Sequence, residues 1–240
     1  MDAAYAAAYP ELHARHWWWR AREGFLLRRF RRLLPADGRH RILDVGCGDG
    51  LLLDRLAPWG HAEGIEPDAT TLSPAAAARH IHLGPFDASF RPAAPFDLVL
   101  FLDVLEHLDD PVAALTRARE LLRPGGAVFV SVPAFPALWT RHDALNHHRR
   151  RYTKRTLAAD AAAAGLTVAW ARYGFVAVAC GKLLVRAKEA LVRGAPAPPG
   201  IPPAPLNTLA RAVASADLAL SGTIPFPFGS SLFAVLRVGG

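Results

Sequence analysis

The chain has 240 residues, with 28 lysines and arginines against 21 aspartates and glutamates, a formal charge of +7, and 52% apolar residues. That apolar content excludes general disorder, and the length suits one α/β domain with extra segments. Two cysteines, Cys47 and Cys180, exclude a disulfide framework or zinc-finger spacing, and together with residues 1–10, which lack a secretory leader pattern, they point to a reducing, cytoplasmic setting.

The positive charge alone is no nucleic-acid signature. Three lysines, two asparagines and no glutamine in an Ala/Arg/Pro/Gly-rich chain indicate GC-biased codon usage, so only the local clusters at 28–32 and 147–151 carry weight.

In chain order, residues 11–34 read as one amphipathic, Arg-rich helix ended by Pro35–Gly38. Arg41–Val45 is a short apolar strand entering a glycine turn, and a helix starts over Leu51–Leu56. His61–Ile65 is a second strand, with Asp68 placed to cap the helix after it. Ile81–Leu83 is a weak third strand; Phe96–Leu102, apolar except for Asp97, suits a strand buried on both faces. Pro111–Leu122 is a helix that stops at Pro124-Gly125-Gly126, followed by strand Ala127–Val132, helix Thr153–Ala164 and strand Leu166–Ala171. The rhythm then breaks. A basic amphipathic helix (Leu183–Arg193), the Pro-rich run 195–205 and a helix (Leu206–Leu220) precede the last strand, Leu232–Val238.

Strands alternating with helices give an α/β, doubly wound, mostly parallel sheet. The expected organisation is an N-terminal helical lid segment (1–39), a core (40–173), a helical, Pro-rich insertion over the acceptor side (174–231) and the final strand (232–240). A spanning helix needs roughly 18–20 mainly apolar residues. Leu218–Leu236 is uncharged over such a length but broken by Gly222, Pro225, Pro227 and Gly229, so a soluble or peripheral protein is expected. The helix at 183–193 is the candidate for contact with an anionic membrane, against the plainer reading that it covers the core.

The informative segment is Ile42-Leu43-Asp44-Val45-Gly46-Cys47-Gly48-Asp49-Gly50. A strand runs into Gly-x-Gly-x-Gly, where glycine lets the backbone approach a ligand. The spacing departs from the dinucleotide Gly-x-Gly-x-x-Gly, and Asp44 suits a ligand carrying ammonium and sulfonium groups better than a pyrophosphate.

These residues resemble the nucleotide-binding motif of class I S-adenosylmethionine-dependent methyltransferases, within them the type 11/12-like, ubiquinone O-methyltransferase-like bacterial proteins. The segment from Phe96 to Pro111 and the run Leu121–Val130 are similar to the family's segments around its fourth and fifth strands. The resemblance implies a Rossmann-like, seven-stranded sheet in order 3-2-1-4-5-7-6 with strand 7 antiparallel, and ligand at the carboxyl ends of strands one, two and four. It implies S-adenosylmethionine as cofactor and S-adenosylhomocysteine as product. Asp44, Gly46, Cys47, Gly48, Gly50, Glu66, Asp87 and Asp103 are the expected cofactor-binding residues, Glu66 at the ribose hydroxyls and Asp87 near the adenine amino group. Cys47 is expected to pack rather than to react, and Cys180 to lie in the core.

His16–Arg22 and Asn146–Thr153 are similar to a bacterial subgroup often found with cell-surface polysaccharide or lipid-linked sugar genes. Trp18, His147, Arg150 and Tyr152 are the expected acceptor-binding residues, the basic run suiting an anionic or polyhydroxyl acceptor. Three readings of the residues after strand four stay open. His107, with Glu106 beside it, is a general base. Alternatively Asp103, Glu106 and His107 hold a divalent metal, as the similar Glu-x-x-Glu-His of ubiquinone-pathway and small-RNA methyltransferases does, although Asp103 is one methylene shorter than glutamate. In the third reading the group only packs and caps. His107 and Glu106 are taken as catalytic and no metal is assigned.

The expected function is methyl transfer to a small-molecule or lipid- or sugar-linked acceptor, at oxygen. Alternatives are a binding or scaffold protein without turnover and an RNA methyltransferase. The latter is disfavoured because Asp103-Val-Leu-Glu106 stands where base-methylating enzymes carry an Asn/Asp-Pro-Pro-Tyr-type motif.

Overall fold

The computed structural model describes residues 3–191 and 200–239. Strands β1 (His40–Val45), β2 (Gly60–Glu66), β3 (Ile81–Leu83), β4 (Phe96–Leu102), β5 (Leu122–Pro133), β6 (Leu166–Gly174) and β7 (Ser231–Val238) form a seven-stranded sheet in the order β3-β2-β1-β4-β5-β7-β6. β7 runs antiparallel to both its neighbours and the other pairings are parallel. This is the Rossmann-like order expected.

Side chains alternate across the sheet and build two cores. Leu43, Val45, Val99, Phe101, Val128 and Val130 pack with residues of α4 (Pro111–Leu121) and α6 (Lys154–Ala163). Ile42, Leu98, Leu100 and Phe129 pack on the other side with α2 (Trp17–Leu33) and α8 (Ala204–Ser221). Each such fully buried side chain contributes about 1.5–3 kcal/mol. Asp97, the polar residue of β4, is buried but satisfied: it accepts from Arg41 N (2.9 Å) and pairs with Arg123 (2.8 Å).

The strands expected from apolar runs form, β3 and β4 with the bounds expected and the others with longer ends. β5 starts at Leu122 because Leu122 pairs with Phe96, and a register shift before Leu98 absorbs the Pro-Gly-Gly stretch read as a turn. β6 extends to Gly174 opposite Ser231. The helix expected from Leu51 is a single turn, α3 (Leu53–Leu56), continued by a 3-10 turn, and Asp68 caps another short 3-10 turn rather than an α-helix.

The N-terminal helix is two helices, α1 (Ala3–Arg15) and α2, divided at His16. His16 takes extended backbone and its Nδ1 accepts the Trp18 N–H at 3.1 Å. Asn207, near the start of α8, fastens the break: its Oδ1 accepts the Trp17 N–H (2.9 Å) and its Nδ2 donates to the Arg15 carbonyl (2.8 Å). Periodicity could not reveal a break made by a residue so far away.

Between β6 and β7 lie α7 (Val176–Leu191) and α8, which touch one another. α7 begins earlier than the helix expected at Leu183. Its Cys180 is exposed, not in the core as expected, because it lies on the outer side of α7. Val192, Arg193 and the part of the Pro-rich run up to Pro199 lie outside the described residues. No helix among the described residues is long and apolar enough to cross a membrane.

Replacing Asn207 with alanine removes both hydrogen bonds at the α1–α2 junction and should lower the unfolding free energy by about 1–2 kcal/mol in urea denaturation. An unchanged midpoint and slope would show that water serves the junction equally well.

Candidate active site

At the carboxyl ends of β1, β2 and β4 the sheet opens into a cleft of about 1810 Å³, roofed by Trp17–Trp19 of α2 and flanked by α7. Typical small-molecule pockets hold roughly 300–1,000 Å³, so the cleft has room for two reactants.

The glycine turn forms its first wall. Gly46, Gly48 and Gly50 have φ of +67°, +53° and +70°, a region that other residues enter only under strain. A Cβ on Gly48, which lines the cleft, would meet no protein atom within 4 Å, so open space lies beside the turn there. Gly50, by contrast, does not line the cleft: a Cβ there would lie 2.8 Å from Ile81 and 2.9 Å from Arg79. Cys47 is turned against β2, where a Cβ on Gly64 would come within 2.4 Å of its Sγ. Burial pushes its thiol well above the ordinary range, so it carries no thiolate.

Glu66, at the end of β2, accepts the Gly48 N–H at 2.9 Å through Oε2 and the Asp68 N–H at 3.1 Å through Oε1. Its buried carboxylate thus bridges the glycine turn to the loop after β2 while facing the cleft. Asp87 stands on the rim. Its Oδ1 accepts from Ser89 N (2.8 Å) and Ser89 Oγ (2.6 Å), and these bonds hold its carboxyl below the usual range.

Asp44 lies on the α2 side of β1 and does not line the cleft. Burial pushes its carboxyl up to about 7 against the opposing pull of Arg22, and Glu66 adds to the rise. Asp103 follows β4 with φ +62°. Arg22 pairs with its Oδ2 at 2.9 Å, and its Oδ1 accepts from Ser131 Oγ at 3.2 Å. Arg22 also donates to Ser131 Oγ at 3.2 Å. A positive φ in a residue other than glycine costs of order 1–3 kcal/mol and persists where neighbours over-determine it. No spacing pattern in the sequence pointed to Arg22 in this role.

The turn 105–107 presents the second wall. Glu106 is wholly buried, and neither carboxylate oxygen has a hydrogen-bond partner. Burial, and secondarily Asp103, pushes its carboxyl well above the usual range. The His107 ring meets that of His148 edge-on, with centroids 4.8 Å apart. Burial and then His148 pull His107 down to about 4, so it is neutral at pH 7. One ligand atom each from Glu106, His107 and His148 lie within 4.8 Å of one another. This set differs by one member from the Asp103, Glu106 and His107 of the alternative metal reading, because Arg22 takes Asp103 and His148 stands in its place.

His148 is held by Asp143 (2.9 Å), which sits on α5 (Arg141–Leu145) in a capping box with Thr140. Asp143 also receives Arg151 through both oxygens, at 2.8 and 3.1 Å. Burial would raise the Asp143 carboxyl, but the bonds from His148 and Arg151 hold it far below the usual range.

Of the expected acceptor residues, Trp18 lines the cleft, stacked on Phe175 at 5.5 Å. His147, Arg150 and Tyr152 do not. His147 is exposed with φ +56°. Arg150 donates to the carbonyls of Leu108 (3.2 Å) and Asp109 (3.1 Å), and Tyr152 is buried with its hydroxyl toward the Leu105 carbonyl. With Arg149, which donates to the Glu106 and His107 carbonyls at 2.8 and 2.9 Å, this run braces the turn carrying Glu106 and His107. The described bonds of this run thus go to the protein's own carbonyls and to the carboxylates of Asp109 and Asp143.

Residues 18–169 match a family model described as a methyltransferase domain. A ubiquinone biosynthesis O-methyltransferase of Cereibacter sphaeroides is 39% identical over 107 residues, which is 41% of this chain and 42% of that protein. The chain thus spans about two fifths of the length of the curated relatives it matches. Among solved structures, a chain from the complex of the Haloferax volcanii Trm112 methyltransferase activator with a methyltransferase is similar at a TM-score of 0.61 and 19% identity, over 99% of this chain and 95% of that one. The [4+2]-cyclase SpnF reaches 0.59 at 19% identity over 98% and 94%. A cyclase on this fold shows that architecture alone does not choose a reaction.

Because Asp44 holds in the fold a proton that the unfolded chain releases near pH 4, its contribution to stability is present at low pH and is lost as pH rises toward 7. Between pH 5 and pH 8 the protein should lose about 2–3 kcal/mol relative to Asp44→Asn in urea denaturation. Parallel pH courses for the two proteins would show an ionised Asp44.

Proposed function

We propose that this chain, which belongs to the methyltransferase-domain family, is an S-adenosylmethionine-dependent enzyme that methylates a hydroxyl of a small-molecule or lipid- or sugar-linked acceptor. The observation that carries this reading is one cleft holding both the Gly48–Glu66 wall and the neutral His107 beside His148. The likeness to ubiquinone biosynthesis O-methyltransferases supports oxygen as the acceptor atom.

Gly46, Gly48 and Glu66 would hold the cofactor, with Asp87 at the rim. The open space beyond Gly48 and the paired oxygens of Glu66 fit it. The bound cofactor supplies a methyl group on a sulfonium, which needs no further activation as a leaving group. The chain's task is then to align the acceptor and exclude water. Trp17–Trp19 close the roof, Arg22 fixes the floor, and a ring nitrogen of neutral His107 receives the acceptor's hydroxyl proton.

A second reading is favoured by the two orphaned oxygens of Glu106. A buried carboxylate without donors is costly unless it is protonated or meets a cation. Glu106, His107 and His148 offer one oxygen and two imidazoles, a set suited to zinc, manganese or iron, which would orient a diol. Outward-facing Leu184 on α7 and Leu209 on α8, 74% and 61% exposed, support peripheral contact with a lipid surface.

Incubation of the purified chain with S-adenosylmethionine and catechol acceptors should yield S-adenosylhomocysteine and an O-methyl product by mass spectrometry. Cofactor binding without any product would favour a scaffold, and product only with RNA would favour a nucleic-acid enzyme. Glu66→Ala should weaken cofactor affinity by about tenfold or more in calorimetry, as expected for loss of a charge-assisted contact; retained affinity would remove Glu66 from the cofactor site. Native mass spectrometry of protein supplied with manganese or zinc should show one ion per chain, lost in Glu106→Ala. Equal metal content in both proteins would leave His107 as a base without a metal.

A further inference from the structure

α7 borders the cleft through Val178, Lys182 and Val185, which recur at helical spacing. Lys182 is the charged member of that stripe. Its ammonium makes no hydrogen bond and no ion pair among the described residues. Three carboxylates lie near enough to act on it electrostatically, and each is already engaged. Asp103 is taken by Arg22, Asp143 by Arg151 and His148, and Glu189 accepts the Arg141 N–H at 3.0 Å. Arg151 adds positive potential at the amine. The cleft wall thus carries a partly desolvated cation whose neutralising partner is not supplied by the described protein.

We propose that Lys182 is an anion subsite of the acceptor pocket, receiving a carboxylate or phosphate of an acceptor whose hydroxyl lies at His107. The inference rests on the acceptor-side reading of the cleft given above and narrows its substrate class to anionic acceptors. Val178 and Val185, one turn to either side, suit an apolar body next to the anionic group. Burial of the amine pulls it down to about 8, the response of a cation kept from water without a counter-ion. A lysine here acts as a point charge, so it accepts either anion without demanding the planar geometry an arginine would. The anion belongs either to a dissolved acceptor or to a lipid headgroup delivered beside α7.

Two binding experiments separate these sources, with S-adenosylhomocysteine present throughout. In the first, calorimetry compares 3,4-dihydroxybenzoate with its neutral amide. In the second, the full chain is sedimented with phosphatidylglycerol or phosphatidylcholine vesicles. The protein should favour the carboxylate over the amide, or the anionic over the neutral vesicles, by about tenfold, the scale of one charge-assisted contact. Lys182→Met should erase that preference while leaving S-adenosylhomocysteine affinity intact, and Lys182→Arg should retain most of it. Loss in the first arm identifies the acceptor's own anion, and loss only in the second identifies a lipid headgroup. No Lys182-dependent preference in either arm, including failure of both anions to bind, overturns the subsite. A Lys182-dependent preference without methylation of any catechol keeps the subsite and discards the O-methylation reading instead.

Discussion

A single guanidinium holds the floor of the cleft together. Arg22 leaves α2, crosses beneath the roof and meets Asp103 and Ser131 at the ends of adjacent strands. It also opposes the rise in the Asp44 carboxyl that burial imposes. Removing one partner of a buried, hydrogen-bonded ion pair strands the other charge, so these groups stand or fall as a set. The position of the tryptophans over the cleft follows from this tie, because they are on the same helix as Arg22. The backbone of Asp103 follows from it too, since a left-handed aspartate is tolerable where both its carboxylate oxygens are engaged.

The sheet was largely legible because its signals are local. The apolar run of β4, the approach to Gly46 and the turn glycines each state their requirement within a few residues. The position of Glu66 was legible for the same reason: it ends the strand beside the glycine turn, and its bonds to backbone N–H groups span two short loops. What escaped depends on distant partners. The break at His16 is completed by Asn207, and Arg22 finds its partners across the sheet. Cys180 reads as a core residue among apolar neighbours, yet α7 lies at the surface and turns it outward.

The basic run after β5 shows how charges read from composition are used inside the fold. Three consecutive arginines suggest an anion site. In the fold, Arg149 and Arg150 donate to carbonyls of the turn from Glu106 to Asp109, and Arg151 neutralises the buried Asp143. Carbonyls in a tight turn lack the partners a helix or sheet would provide, and arginine can serve several at once. The rigidity of the second wall comes from this bracing. The neutral state of His107 comes from the same compactness, since a closely packed imidazole beside another imidazole disfavours a second charge.

The contact between Cys47 and Gly64 has a consequence for how the chain can vary. The sulfur fills the volume a methyl group at position 64 would need. A larger residue at 64 also meets the Cys47 Cβ, at 2.9 Å, so it needs a smaller residue at 47 together with a shift of the turn; one order of change overpacks the turn and the other opens a void. The two positions form a single unit of inheritance, and the tightness of that unit, more than any reactivity of the thiol, accounts for a cysteine in the middle of a ligand-facing loop.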